Sequence, residues 1–79
     1  MSEELMRQNM LAVAQTYASA KNQALPTVSK AFHGNQAFLG KYLAGEVAPT
    51  TETYWRMMDQ FRQEWPEGVE WPKLAIIGD

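Results

Sequence analysis

Apolar residues recur at helical spacing in four stretches of the chain, separated by glycine, proline and polar positions. Met6, Met10, Val13 and Tyr17, with Ala14 and Ala18 beside them, form one stripe that runs to about Lys21, the period of a helix with a single buried face. Ser2 is a candidate N-cap, and Glu3 and Glu4 fall in the first turn, where the positive end of the helix dipole favours acids. A short second helix is expected from Leu25-Pro26-Thr27, with Pro26 at its first position, Val28 and Phe32 sharing a face, and His33-Gly34 as its end. Asn35 can cap a third helix whose apolar face is Phe38, Leu39, Tyr42 and Leu43 and which Gly45 closes. After Val47-Ala48-Pro49, Thr50 or Thr51 caps a fourth helix carrying Tyr54, Trp55, Met58, Phe61 and Trp65, and Pro66 stops it. The pattern predicts an all-α fold, with a small four-helix domain over residues 1–66 and an extended C-terminal tail over 67–79. In that tail Glu64-Trp65-Pro66 is echoed by Glu70-Trp71-Pro72, and Leu74-Ala75-Ile76-Ile77 reads as a brief strand or a hydrophobic plug.

Composition narrows the class. A chain of 79 residues has room for one hydrophobic core, and three Trp, three Tyr and three Phe supply the bulk to close it without covalent staples. Cysteine is absent, which excludes a disulfide framework, a thiolate metal site and a cysteine nucleophile. The N-terminus is acidic where a signal peptide would be basic, and no apolar run approaches the roughly 20 residues of a membrane span. A soluble, cytoplasmic protein is therefore expected.

The net charge of −2 argues at first against nucleic acid, because Lys and Arg supply most of the affinity for phosphates. Its distribution reverses that reading. Between Leu5 and Gly45 there is no acid, while Arg7, Lys21, Lys30 and Lys41 give that stretch a charge of +4. From Glu46 to Asp79 seven acids meet three bases, so the C-terminal part carries −4 and is a poor surface for DNA.

Two short helices joined by a tight turn after Phe32, with longer helices on either side, form the arrangement by which small domains present one helix to the major groove. Val28, the small Ser29, Phe32, the turn His33-Gly34, Leu39, Tyr42, Ala44-Gly45 and Pro49-Thr50 follow in order. On these residues the stretch from Met10 to Phe61 resembles the lambda-repressor-like (Xre/Cro) family of helix-turn-helix DNA-binding domains. It departs from the family in placing glycine one residue after His33, and in having Leu25 where a polar cap is usual. The resemblance implies a transcriptional regulator of prokaryotic or phage type, binding double-stranded DNA as a homodimer over two half-sites. It also implies groove-facing positions at Asn35, Gln36, Ala37, Gly40 and Lys41, with Thr27, Lys30 and His33 beside them. Gln36 can read adenine or donate to phosphate, and Lys41 can meet phosphate or guanine. Ala37 and Gly40, nearly without side chains, let the backbone approach base edges closely. Specificity from so few hydrogen bonds would be modest, and DNA shape and dimerisation would supplement it.

Plainer roles compete for the same residues. Asn35 reads as a cap ahead of a base reader, because a helix beginning after Gly34 needs an acceptor there, the lysines are ordinary solvated charges elsewhere, and His33 alone holds no metal. The Tyr54 to Trp65 stripe is core by its spacing, yet has more aromatic bulk than one face needs. Its surplus, with Trp71, Ile76 and Ile77, is covered either by the chain's own tail or by a second subunit. No phosphate loop, zinc signature, nucleophile-base pair or dinucleotide fingerprint is present, so no enzyme, cofactor or metal is expected. A rival reading is a protein-interaction module acting through the acidic Trp/Pro-rich tail, without DNA. A third is a structural phage or mobile-element protein that has kept such a fold and lost its contacts.

Overall fold

The apolar stripe of the first segment does form a helix, α1 (Glu3–Lys21), and its inward residues Met6, Met10, Val13, Ala14, Tyr17 and Ala18 are buried. The computed structural model describes residues 3–47 and 50–74, so Ser2, Ala48, Pro49 and the Ala75–Ile77 part of the expected plug lie outside the described residues. Three further helices follow, α2 (Leu25–His33), α3 (Phe38–Ala44) and α4 (Thr51–Gln63), with no strand among the described residues. α1 packs against each of the other three, and α2 packs against both α3 and α4. The backbones of α3 and α4 do not meet.

Local chemistry explains most of the boundaries. Gly34 and Gly45 end α2 and α3 with φ of 82°, a left-handed conformation that costs glycine nothing and that lets the cap N–H bond back to the preceding turn. Thr50 caps α4 by accepting from the Thr53 N–H at 3.1 Å. Pro26 stands at the second helical position rather than the expected first, because α2 already begins at Leu25, behind Ala24, which has no side chain to cap with. Proline is tolerated there because the first-turn N–H groups have no helical acceptor in any case.

One aromatic cluster joins three helices and the C-terminal segment. Tyr17 stands edge-on to Phe32 and Phe61 with centroids 5.2 and 5.4 Å away, and Phe32 and Phe61 are 4.5 Å apart. Beyond α4 the chain runs without regular structure to Leu74, turning at Gly68 so that the Trp65 indole N–H donates to the Val69 carbonyl at 2.7 Å. Trp71 then packs against Trp65, the rings tilted by 57° with centroids 4.6 Å apart, and Trp71 and Leu74 are partly buried against the core. Of the two covers considered for the surplus aromatic surface, the chain's own tail supplies one over Trp65. Within the expected α4 stripe Tyr54, Met58 and Phe61 are buried, as is Met57, while Trp55 is left 48% exposed.

Candidate nucleic-acid interface

The candidate interface comprises α2, the turn at residues 34–37 and α3. Leu39 and Tyr42 anchor α3 by full burial, and Val28 and Ser29 do the same for α2. Ser29 has a second role. Its hydroxyl donates to the Asn35 carbonyl and accepts from the Leu39 N–H at 3.0 Å, so one buried oxygen fastens α2 to the turn and to the first turn of α3. Leu39 N–H belongs to the set that a helix cannot satisfy within itself, and here a neighbouring helix supplies the acceptor.

The expected helix from Asn35 to Ala44 is shorter than the sequence suggested. α3 begins at Phe38, and Gln36 and Ala37 belong to the turn before it. The reason is local. Asn35 Oδ1 accepts from the Ala37 N–H at 2.8 Å, closing a turn two residues long that holds the chain out of helix. Asn35 thus satisfies a backbone donor near the helix start without being its N-cap, which is Ala37.

Thr27, Lys30, Asn35, Gln36, Ala37, Gly40 and Lys41 are all exposed. Thr27, Lys30 and Gln36 come together with Pro26 and Ala31 around an open groove of about 300 Å³, a meeting that sequence spacing did not reveal for Ala31. Ala37, Gly40 and Lys41 fall on one side of α3 by their three- and four-residue spacing, away from the buried Leu39 and Tyr42. His33 is the last residue of α2, and its side chain lies outside the described residues. A Cβ on Gly40 would meet nothing within 4 Å among the described residues, so none of them requires glycine there.

No family model, curated protein or solved structure matches this chain. The site therefore has to be read from its own chemistry. Arg7, counted with the basic stretch, is committed elsewhere: its Nε donates to the Tyr42 carbonyl at 3.2 Å and its Nη1 pairs with Glu4 at 3.3 Å. It secures the C-terminal end of α3, where a cation is favoured by the helix dipole. The solvent-facing cations of the stretch are Lys21, Lys30 and Lys41.

Beneath α3 the Tyr42 ring is fully buried, and its hydroxyl has no hydrogen-bond partner among the described residues. Burial, followed by the nearby Tyr54 phenol, pushes its pKa up to about 12, against a smaller lowering from Arg7. The Tyr54 hydroxyl accepts from Asn9 at 3.2 Å. Among the described residues no cluster of three or more His, Asp or Glu converges as a metal site would require, and no helix is long and apolar enough to cross a membrane.

Proposed function

We propose that this chain binds double-stranded DNA as a transcriptional regulator of lambda-repressor-like type, laying α3 and the turn before it in the major groove. The observation that carries the reading is Gly40. A glycine inside an exposed helix costs roughly 1 kcal/mol relative to alanine, and here neither its φ nor a neighbour among the described residues calls for it. A surface that another molecule approaches to backbone distance does call for it. The residues around it suit that molecule: Ala37 is small, Lys41 and Lys30 are cationic, and Gln36 and Asn35 carry amides that hydrogen-bond base edges or phosphates. No acid lies within this part of the sequence to repel a phosphate backbone. Groove contacts so few favour a homodimer that reads two half-sites.

The test is titration of a fluorescent mixed-sequence duplex at two salt concentrations. The wild type is expected to bind at low salt and to weaken steeply as salt rises. Lys41→Glu is expected to lose at least about tenfold in affinity and to flatten the salt slope by about one unit. A wild-type protein that does not bind at low salt refutes the proposal.

A further inference from the structure

The outward face of α4 is self-complementary. Glu52, Trp55, Arg56, Asp59, Arg62 and Gln63 recur every three or four residues on that face, and all six are exposed. Among the described residues Trp55, at 48%, is the most exposed large hydrophobic side chain, ahead of Leu11 at 37%. Tyr54 stands edge-on to its indole at 4.9 Å and helps fix it in place. Beside Trp55, an open groove of about 450 Å³ runs along the same helix between Trp55, Met58, Asp59 and Arg62. A projecting indole and a groove able to receive one thus lie side by side on a single face.

We propose that two copies of this chain pair through α4 in an antiparallel arrangement, each Trp55 entering the groove of the other copy. This names the dimer surface for the DNA-binding reading, and it is measured on the free protein, so the two can fail separately. The charges select the occupant and the direction. With the two-fold axis between Met57 and Met58, Arg56 faces Asp59 of the partner subunit, and Glu52 comes level with Arg62 and Gln63 of the partner subunit. Trp55 then falls beside Met58 and Asp59 of the partner subunit, over the groove. A parallel pair would set each of these charges against its own copy, which is repulsive. Such an isologous contact closes on itself and leads to a dimer rather than a chain of subunits. The backbones of α3 and α4 do not meet, so the pairing surface on α4 is built from residues other than those of the Gly40 face. A contact between two 13-residue helices is small, so micromolar affinity is expected.

Sedimentation equilibrium on the full chain from micromolar to millimolar concentration tests this. The wild type is expected to pass from monomer to dimer, and Trp55→Ala, with unchanged helical circular dichroism, to weaken the dimer at least about tenfold. Asp59→Arg should weaken it likewise, and adding Arg56→Asp to that variant should restore it. The chain has no cysteine, so introduced ones report direction. In the antiparallel pair the two copies of residue 59 differ by about 4.5 Å along the axis and those of residue 52 by about 16 Å. Asp59→Cys should therefore cross-link on oxidation and Glu52→Cys should not. A monomer at every concentration, a dimer indifferent to Trp55→Ala, or equal cross-linking at both positions overturns the proposal.

Discussion

The Ser29 hydroxyl stands between the two elements of the candidate interface, donating to the Asn35 carbonyl and accepting from the Leu39 N–H. Ser29→Ala leaves a buried donor and a carbonyl without their partner, and is expected to cost about 2 kcal/mol, measurable as a lower urea midpoint at unchanged slope. Tyr42 behaves oppositely. Its buried hydroxyl has no partner among the described residues, so Tyr42→Phe is expected to be neutral or slightly stabilising at pH 7. The folded phenol holds its proton up to about pH 12, above its ordinary 10.0. The folded state therefore binds the proton more tightly, and this contribution is complete below pH 10 and lost as pH climbs from 10 towards 12. Stability should fall by roughly 1.4 kcal/mol per pH unit in that window, with a shallower fall in Tyr42→Phe. Tyr17, raised by burial and by Glu64, adds a loss of the same sign that this variant retains. Sequence pattern identified Ser29 as small and inward. It could not identify its partners, which lie six and ten residues onward and meet it only once the turn is formed.

At the scale of elements, the rules that read correctly are those that act within a few residues. Gly34, Gly45 and Thr50 end or begin helices through their own backbone or hydroxyl geometry. Asn35 departs from its expected role as the cap of α3 because an asparagine can cap a helix or close a turn two residues on, and the Ser29 bond to its carbonyl stabilises the second choice. α3 is consequently seven residues long, too short to persist alone, and depends on Leu39, Tyr42 and Arg7 for its place. Gly40 weakens it further. Gly40→Ala is expected to raise stability by roughly 1 kcal/mol, seen in thermal unfolding. Gly40→Leu should leave the fold intact, since no atom of the described residues lies within 4 Å of a Cβ there, yet reduce duplex binding by at least about tenfold. A Gly40→Leu protein that binds duplex as well as wild type would leave the glycine without a role in recognition.

Across the whole molecule, the acidic C-terminal segment is drawn onto the bundle by Trp65 and Trp71. Trp65 lies 6.1 Å from Tyr17 and 4.6 Å from Trp71, and Arg62 sits over the Trp71 ring at 5.1 Å. Trp71, the one tryptophan of the 67–79 tail, is thus engaged within the chain together with Trp65. Trp65→Ala is expected to cost about 2 kcal/mol, below the value for a fully enclosed indole because its ring is only partly buried, and to quench the melting cooperativity of the segment seen by near-ultraviolet circular dichroism. The four helices were legible because each buries one face at a regular period. The course of the segment was not, since prolines and isolated tryptophans carry no period and its contacts are set by α1 and α4. Nor did the pattern separate Trp55 from its buried neighbours, because helical spacing places a residue near the edge of a stripe without saying whether anything covers it. The central claim, that the α3 face reads DNA, is tested most directly by selecting bound duplexes from a random pool. The account predicts enrichment of a short motif repeated with two-fold symmetry, lost in Gly40→Leu. A pool that stays unenriched after repeated rounds at low salt would contradict it.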